Sequence, residues 1–425
     1  MRRADVGRAD LGDRMTRRLR VVDAAHPEDV YVALRDALTG GGDAVLPRAG
    51  EPRAGESRAG EPRAGESNSD VGERVAQNVA LVIETSGSTG VPKRVALSAD
   101  ALLASAAASA GALGGQGQWL LALPVHYVAG AQVLVRSLAA ETEPLYYGTG
   151  HFDPERFAEL AGGLHDGPRY TSLVPVQLAR LLDAAESGSR TVADALRRFD
   201  GILVGGQALS PAIRERAEMS GARVVTTYGS SETAGGCVYE GTPIGTTVVR
   251  EVEGHLEITG AVLAEGYLGD QERTADSFYE RDGLRWYRTG DLGEVDPQGR
   301  VTVSGRADNV IISGGEKVLL DAVERVVKEV PGLEDAVIVA AGHPEWGQVP
   351  VVVVEGRTPA GLASIRRAVT EQLGRAAAPA RLVEVPRMPR LLRPVVCSGR
   401  PGVRAPSAAS SAPCVACSDS SQAES

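Results

Sequence analysis

Residues 85–93 combine glycine, hydroxyl side chains and one lysine directly after an apolar run, Val79 to Ile83. A buried strand followed by such residues is typical of a loop that binds phosphate. Glycine lets backbone amides approach an anion closely, and hydroxyls and lysine supply further donors. The mononucleotide P-loop needs Gly-x4-Gly-Lys-Ser/Thr, whereas Gly87, Gly90 and Lys93 are three residues apart. The alternative is an ordinary polar turn. The predicted phosphate-binding residues are Thr85, Ser86, Gly87, Ser88, Thr89, Gly90 and Lys93.

Three further segments place glycine beside polar side chains: residues 205–208, 226–233 and 287–291. Taken singly, the first and third could be turns, and the second could be a Ser-x-x-Thr helix cap. A cap would not explain Tyr228 followed by Gly229. Together with the phosphate loop, these segments resemble, in order and approximate spacing, the motifs of the adenylate-forming superfamily of acyl-CoA ligases, luciferases and peptide-synthetase adenylation domains. The resemblance extends over residues 20–390.

The resemblance implies a site for ATP or AMP with Mg²⁺. Tyr228 would pack on the adenine ring with Gly229 beside it, and Thr233 would meet the phosphoryl group. Glu232 would hold the magnesium ion, which is sensible because Mg²⁺ prefers a carboxylate together with phosphate oxygens.

Other motif positions would complete this nucleotide site. The segment Gly205, Gly206 and Gln207 would run alongside the adenine. Asp291 would accept hydrogen bonds from the ribose hydroxyls, and Arg306 would reach the ribose and the phosphate.

A small C-terminal domain is expected to swing between two half-reactions. Asp308 matches the position of the hinge, where a few residues absorb such a rotation. Gly314 and Gly315 would let the pantetheine arm of CoA pass close to the backbone. Lys317 is either a direct contact or a solvated residue at the start of a helix.

Residues 84–90, 130–138, 171–178 and 311–317 most resemble the o-succinylbenzoate–CoA ligases of menaquinone biosynthesis. His126, in the segment 123–130, would lie at the mouth of the acyl pocket, gating it or touching the substrate; a structural histidine is the alternative. Such a substrate keeps one free carboxylate, which needs a cation or several donors when buried. Arg180 is the candidate, against the alternative of a surface arginine on an amphipathic helix.

The resemblance implies a two-step reaction that uses ATP, Mg²⁺ and coenzyme A. The aromatic carboxylate attacks the α-phosphorus of ATP and releases pyrophosphate, and the CoA thiolate then displaces AMP from the acyl-adenylate. No nucleophilic side chain is required, so Lys93, His126, Glu232 and Thr233 would act by positioning and charge stabilisation.

The chain departs from the family near its C-terminus. Relatives carry a lysine in a Pro-x-Gly-Lys turn that bridges the attacking carboxylate and the α-phosphate. Here Val385 to Leu391 matches the approach to that turn, but no lysine follows Lys328. Arg393 is nearby, yet a planar guanidinium is not equivalent to an ammonium group. We expect adenylation to be impaired, and the change in composition suggests a shift of the coding frame near residue 391.

The elements that must position these residues alternate strand-like and helix-like segments over residues 69–300. This predicts an α/β fold with layered parallel subdomains and a small β-barrel-like part of hairpins at 245–304. The helices include Ala99–Ala112 and Pro211–Ser220, and a helix is predicted over Lys317–Val330. The domains would be 19–305 and a mobile α+β domain at 306–390. Residues 1–18, the Arg-Ala-Gly-Glu-Pro/Ser repeat at 48–67 and the tail 391–425 are predicted to be disordered.

Composition excludes several functional classes. The 425 residues carry a net charge of −10, which argues against nucleic acid as the main partner. No run approaches the roughly 18–20 apolar residues that span a bilayer. The sparse cysteines predict a reducing cytoplasm and no zinc site. Two other functions stay open: a different aryl or fatty acyl-CoA ligase, and a catalytically silent protein that binds the nucleotide or acyl-adenylate.

Overall fold

The computed structural model describes residues 16–49, 73–85 and 92–388. Several predicted features lie outside these ranges: residues 86–90 of the phosphate loop, most of the repeat, the extension before residue 16, and the C-terminal segment after residue 388. The described residues up to Pro386 belong to one compact unit, and Arg387 and Met388 belong to a second.

Strands account for much of the described chain. In order they are β1 (Thr16–Asp23), β2 (Ala44–Arg48), β3 (Arg74–Ala76), β4 (Val79–Thr85), β5 (Lys93–Ser98), β6 (Gln118–Leu121), β7 (Leu145–Tyr146), β8 (Arg169–Leu173), β9 (Gly201–Val204), β10 (Val224–Ser230), β11 (Gly235–Tyr239), β12 (Thr242–Pro243), β13 (Val248–Val252), β14 (His255–Thr259), β15 (Gly266–Tyr267), β16 (Phe278–Arg281), β17 (Leu284–Val295), β18 (Val301–Arg306), β19 (Val310–Ser313), β20 (Glu316–Leu319), β21 (Val337–His343), β22 (Gly347–Glu355) and β23 (Arg381–Val385).

The helices mostly connect parallel strands. In order they are α1 (Pro27–Leu38), α2 (Ala99–Leu113), α3 (Val128–Ala139), α4 (Pro154–Gly162), α5 (Pro175–Glu186), α6 (Arg190–Arg198), α7 (Pro211–Ser220), α8 (Gln271–Ser277), α9 (Leu320–Lys328) and α10 (Leu362–Leu373). Local sequence sets several boundaries. The Ser98 side chain caps α2, which ends at Gly114 in the left-handed conformation, and Ser210 caps α7, which begins with Pro211.

Two mixed sheets form the larger part of the molecule. The first has the strand order β15-β5-β4-β2-β1-β3, with β1, β2 and β4 parallel and the others antiparallel. The second has the order β12-β11-β10-β9-β8-β6-β7, and its strands from β10 to β7 are all parallel. Because the carboxyl ends of parallel strands lie at one edge, the segments that follow β6, β8, β9 and β10 meet there.

The remaining two sheets follow in sequence. Strands β13, β14, β17 and β16 form an antiparallel sheet, to which β18 adds by pairing with β17. The last sheet contains β20, β19, β22, β21 and β23, and it packs with α9 and α10 around its own hydrophobic cluster, which includes Val323, Val352 and Ile365. A separate core is what an independent C-terminal domain requires, and the boundary near residue 305 stays a prediction.

The predicted α/β class is confirmed, with two local corrections. The predicted helix at Lys317–Val330 begins only at Leu320, because Lys317 belongs to β20 and pairs with Ile312 of β19. Residues Glu316–Leu319 show no regular alternation of exposed and buried positions, so the helical periodicity after Leu320 was the stronger sequence signal. The hairpin region also contains a short helix, α8. Within the described ranges, no helix is both long and apolar enough to cross a membrane.

Candidate functional site

The predicted phosphate loop joins two antiparallel strands. Thr85 ends β4, Lys93 begins β5, and the two residues are paired across the hairpin. The intervening loop lies outside the described residues, so the phosphate contacts of Ser86, Gly87, Ser88, Thr89 and Gly90 stay predictions. The pairing of Thr85 with Lys93 nevertheless places the two ends of this loop next to each other.

Lys93 reaches the residue predicted to hold magnesium. Its Nζ atom lies 3.9 Å from Glu232 Oε1 and 5.4 Å from the centroid of the Tyr267 ring. The Tyr267 hydroxyl donates to the same carboxylate oxygen over 2.9 Å. Glu232 is only 6% exposed, and no hydrogen bond or ion pair within the described residues uses its Oε2 atom. One oxygen of this carboxylate is therefore held, and the other is available to a further ligand.

A single 3₁₀ turn, Ser231–Thr233, carries Glu232 and Thr233. The Ser230 amide donates to Thr233 Oγ1 over 2.9 Å, and this hydroxyl donates to the Gly235 carbonyl over 2.7 Å. Only the threonine half of the Ser-x-x-Thr cap considered from the sequence is present, because Ser230 Oγ has no hydrogen-bond partner among the described residues and the segment closes a single turn. The contact of Thr233 with a phosphoryl group stays a prediction.

The two glycine segments predicted to surround adenine meet at one edge of the second sheet. Strands β9 and β10 are parallel neighbours, and a Cβ atom at Gly205 would lie 2.4 Å from Thr227 Oγ1. Gly206 has φ of +82°, a conformation that favours glycine. Gln207, the next residue, is exposed. A Cβ at Gly229 would lie 2.2 Å from the Gly235 carbonyl oxygen, so only glycine fits there.

Three predicted ligands of the nucleotide are joined by hydrogen bonds. The Tyr228 hydroxyl donates to Asp291 Oδ2 over 2.6 Å, and Arg306 Nη1 donates to Asp291 Oδ1 over 3.1 Å. Arg306 Nη1 also donates to the Thr289 carbonyl. Residues 228, 291 and 306 come from strands β10, β17 and β18, of which the last two pair directly at Asp291 and Arg306. The structure therefore brings together side chains that are up to 78 residues apart in sequence.

Burial shapes the electrostatics of this cluster. Burial raises the pKa of Asp291, against the opposing effects of the Tyr228 hydrogen bond and the Arg306 charge. Burial and the adjacent Asp291 carboxylate raise the pKa of Tyr228, which therefore stays a hydrogen-bond donor. Burial together with the Glu232 carboxylate and Tyr267 raises the pKa of Tyr287 well above its ordinary value, with Asp291 a weaker contributor. Tyr287 thus lies within electrostatic range of both acidic groups.

The predicted hinge lies directly beside this cluster. Asp308 is exposed and pairs with Arg306, whose Nε lies 3.2 Å from Asp308 Oδ1. The Arg306 amide donates to Asp321 Oδ2 over 2.9 Å, and Asn309 Nδ2 donates to both oxygens of Asp321. Asp321 lies in the first turn of α9, so it ties the segment 306–309 to the C-terminal sheet and helices.

His126 and Arg180 lie outside the strands that carry this cluster. His126 is half-buried just before α3, and its ring lies 4.3 Å from that of Tyr127. Arg180, on α5, lies 3.3 Å from His151 through its Nη1 atom. Arg136 on α3 is instead buried, and its guanidinium lies 4.9 Å from the Trp119 ring. Within the described part of the chain, Arg136 forms no ion pair and its Nε has no hydrogen-bond partner.

The predicted CoA contacts lie on the C-terminal sheet. Gly314 and Gly315 form the turn between β19 and β20, both with positive φ. A Cβ atom at Gly314 would lie 2.6 Å from the Trp346 ring, so the glycine permits that contact. Lys317 is exposed on β20. These positions leave the predicted pantetheine contacts untested.

Sequence reasoning missed three residues that organise the site: Tyr267, Asp321 and Gln132. Tyr267 contacts Glu232 from 35 residues away. Gln132 is fully buried on α3 and donates to the carbonyl of Ala234, 102 residues away. A glutamine within a largely apolar helix was a visible signal, whereas nothing local marked the tyrosine or the aspartate.

A resident metal cluster is not part of the described site. Groups of three or more histidine, cysteine, aspartate or glutamate side chains that could hold an ion do not occur in the described ranges. Glu232 fits a magnesium ion that takes its other ligands from phosphate and water, because one buried carboxylate oxygen is available. The arrangement can therefore bind Mg²⁺ with a nucleotide.

Sequence comparisons identify relatives across most of the chain. The AMP-binding enzyme family matches residues 28–256, and the AMP-binding enzyme C-terminal domain matches residues 322–391. The probable 2-succinylbenzoate–CoA ligase of Mycobacterium tuberculosis (strain ATCC 25618 / H37Rv) is 40% identical over 328 residues, which cover 75% of this chain and 83% of that protein. The 2-succinylbenzoate–CoA ligase of Salmonella typhimurium is 32% identical, covering 73% of this chain and 65% of that protein.

Solved structures agree with these sequence relatives. The o-succinylbenzoate CoA synthetase from Bacillus subtilis in complex with its acyl-adenylate intermediate has a TM-score of 0.64 and 26% identity, covering 73% of this chain and 66% of that chain. The same protein in complex with ATP and magnesium ion has a TM-score of 0.63, with 25% identity over 73% of this chain and 67% of that chain. The chain thus spans about two thirds of that protein, and it belongs to the AMP-binding enzyme family, among its AMP-forming acid–CoA ligases.

Proposed function

We propose that this chain activates o-succinylbenzoate with ATP as an acyl-adenylate and transfers the acyl group to CoA, a reaction of menaquinone biosynthesis in the cytoplasm. The observation that carries the proposal is the contact network Lys93–Glu232 and Tyr228–Asp291–Arg306, whose two halves share strand β10 and the turn after it. The names and ligands of the relatives support the same substrate.

In the proposed first step, the chain orients ATP for attack by the substrate carboxylate. Tyr228 would face the adenine, and Asp291, ionised and held by Arg306, would accept hydrogen bonds from the ribose hydroxyls. Lys93 would contact the phosphates that the adjacent loop surrounds. Magnesium, when bound at Glu232, would neutralise charge on the phosphate oxygens.

The second step needs the acyl-adenylate to stay in place while the CoA thiolate attacks. The thiolate adds to the acyl carbon, the bond to the phosphate oxygen breaks, and AMP leaves. The rate enhancement then depends on orientation and on fixed charges at the phosphate, with no covalent step on the protein. Rotation at Asp308 is the proposed way to bring the C-terminal glycines to this position.

The free carboxylate of the substrate needs a buried cation, and two arginines are candidates. Arg180 is half-buried and faces His151. Arg136 is 6% exposed, with no acidic partner within the described residues. A buried arginine without a counter-ion is better suited to receive a carboxylate than a partly solvated one. We therefore propose Arg136 ahead of Arg180, and replacement of each by methionine, followed by titration with o-succinylbenzoyl-AMP, separates them.

The test of function is a coupled assay with ATP, CoA and o-succinylbenzoate, together with calorimetry of AMP. The wild-type chain is expected to bind AMP and to form the thioester from supplied acyl-adenylate. Asp291→Asn should weaken AMP binding at least about tenfold, because a charge-assisted acceptor is lost. Asp194→Asn is the matched control, since Asp194 only pairs with Arg197 on the surface. The proposal would be rejected if the wild-type chain neither bound AMP nor formed the thioester.

One observation favours a second candidate, a protein that binds the nucleotide or acyl-adenylate without making it. No lysine follows Lys328 in the sequence. This candidate predicts AMP binding without thioester formation from any acid or supplied adenylate. A panel of aryl and fatty acids in the same assay separates it from a ligase with a different substrate.

A further inference from the structure

The carbonyl of Ala234 is one point at which the turn Ser231–Thr233 is fixed to the protein interior. Ala234 directly follows Thr233 and adopts φ 49° and ψ 37°, the left-handed conformation that non-glycine residues rarely accept. This conformation is unfavourable for an L-residue, because its Cβ atom crowds the following carbonyl oxygen. Its persistence here requires contacts that favour this path of the backbone over others.

Two buried side chains supply those contacts. Gln132 Nε2 donates to the Ala234 carbonyl over 2.7 Å, and Ser105 Oγ donates to the same oxygen over 2.9 Å. Gln132 lies on α3 and Ser105 on α2, and both residues are essentially inaccessible to solvent. A carbonyl with two lone pairs accepts both bonds, and in a dry interior neither donor can be replaced by bulk water.

The same place shows close packing around the glutamine. A Cβ atom at Gly235 would lie 3.2 Å from Gln132 Cγ, so the chain passes directly over that side chain. Among the described residues, Gln132 Oε1 has no hydrogen-bond partner. The Gln132 amide therefore lies in the interior although its oxygen is unsatisfied, which is unfavourable. The favourable interaction of this side chain is the hydrogen bond that its Nε2 atom donates to the Ala234 carbonyl.

We propose that Gln132 and Ser105 are positioning residues of the adenylate site, acting through the Ala234 carbonyl on the turn that carries Glu232 and Thr233. Neither residue is among the predicted contacts of the nucleotide, the metal or the acyl group. The inference rests on the proposed function, because it assigns the role of the turn. Gln132 also lies between the two predicted binding sites, because its helix α3 begins two residues after His126 at the predicted acyl pocket.

The experiment compares Gln132→Met, Ser105→Ala and the double variant with the wild type. Methionine keeps the length of glutamine and removes its donor. Gln118→Met is the matched control: Gln118 is also buried and donates its amide to a backbone carbonyl, that of Glu143, away from the turn. The readouts are the Kd of AMP, kcat and KM of thioester formation from supplied o-succinylbenzoyl-AMP, and amide hydrogen exchange over residues 231–236.

Each single variant is expected to weaken AMP binding about fivefold to tenfold, the size of one lost hydrogen bond. The double variant should lose more than the product of the two, because it leaves the carbonyl with no donor. Exchange at 231–236 should accelerate in these variants and not in Gln118→Met, even where all have the same Tm. Unchanged AMP binding and unchanged exchange in the double variant would overturn the inference.

The two proposals fail separately. A wild-type chain that binds no AMP rejects the proposed function, and the exchange measurement still decides whether the two donors hold the turn. Wild-type AMP binding with an unaltered double variant rejects only the positioning role.

Discussion

At the scale of single residues, the carboxylate of Glu232 is the most constrained group of the site. Its Oε1 atom accepts a hydrogen bond from the Tyr267 hydroxyl and lies near the Lys93 ammonium group. The ammonium group in turn lies over the Tyr267 ring. Removing a partner that orients a metal-binding carboxylate typically weakens metal binding by about 10–100-fold. Tyr267 therefore has a testable role in magnesium binding.

Tyr267→Phe is expected to raise the Mg²⁺ concentration at half-saturation of ATP binding about tenfold, because Glu232 loses the donor that orients it. Phenylalanine keeps the aromatic face toward Lys93. Calorimetric titration of ATP at several Mg²⁺ concentrations measures the change. Tyr279→Phe, which removes a comparable hydroxyl bond to Glu257 elsewhere, is the control. An identical Mg²⁺ dependence in Tyr267→Phe and wild type would contradict this role.

Cys237, fully buried in β11, makes stability depend on pH. Burial raises the pKa of its thiol from 9.0 to about 12. Between pH 9 and 12 the unfolded chain releases this proton and the folded state keeps it. The contribution of the protonated thiol to the unfolding free energy is therefore complete below pH 9 and is lost as pH rises toward 12. The slope is at most about 1.4 kcal/mol per pH unit.

Urea unfolding of wild type and Cys237→Ala between pH 7.5 and 10.5 measures this contribution. We expect the difference in unfolding free energy between the two proteins to be constant up to about pH 9 and then to change in favour of the alanine variant. A difference that stays constant over the whole range would show that the folded thiol ionises normally.

At the scale of elements, glycine decides whether β10 and β11 can approach at the nucleotide site. A Cβ atom at Gly229 would lie 2.2 Å from a backbone oxygen and 2.8 Å from the Gly236 Cα atom, and backbone atoms cannot rotate away. The pairing of the two strands already shifts register between Tyr228 and Gly229. Tyr228, which bonds Asp291, lies directly at this irregularity, so the strand pairing and the site meet at the same glycine.

Gly229→Ala is expected to lower the unfolding free energy by about 1–3 kcal/mol through overpacking and to abolish measurable AMP binding. Gly111→Ala is the control, because a Cβ at this position within α2 meets nothing within 4 Å. That variant should be more stable by about 0.5–1 kcal/mol. Denaturant unfolding and AMP calorimetry on both proteins test the contrast, which fails if Gly229→Ala binds AMP normally.

Element boundaries show where sequence patterns suffice. Helix α7 has the predicted bounds, because the Ser210 cap and Pro211 at the first helical position define its start locally. The helix predicted from Lys317 was wrong in its first turn. Residues 316–319 form a strand because they pair with β19. The periodicity of one segment carries no information about such a partner strand.

At the scale of the whole molecule, the family match reaches only residue 391, and the sequence beyond it contains no lysine. A missing preorganised cation at the α-phosphate lowers rates by roughly 10²–10³-fold. The reaction of supplied acyl-adenylate with CoA does not need that cation. The two half-reactions are therefore expected to differ in this chain.

Replacing residues 391–396 by a Pro-x-Gly-Lys turn should raise pyrophosphate exchange roughly 10²–10³-fold over the wild type. The same replacement with alanine for lysine is the matched control and should not raise it. Thioester formation from supplied acyl-adenylate should stay within about twofold in all three proteins, on the expectation that the cation acts on the transition state of the first step only. Wild-type exchange equal to that of the lysine variant would remove the expectation of impairment.

The sequence by itself determined the family, the α/β class and the order of the nucleotide motifs, because those motifs are short and their chemistry is local. It also supplied the residues Glu232, Asp291 and Arg306. Only the tertiary structure decided that Tyr267 holds Glu232, that Asp321 anchors the hinge segment, and that Gln132 and Ser105 meet at Ala234. Such contacts join residues far apart in the chain, and they follow from how sheets and helices pack rather than from any local pattern.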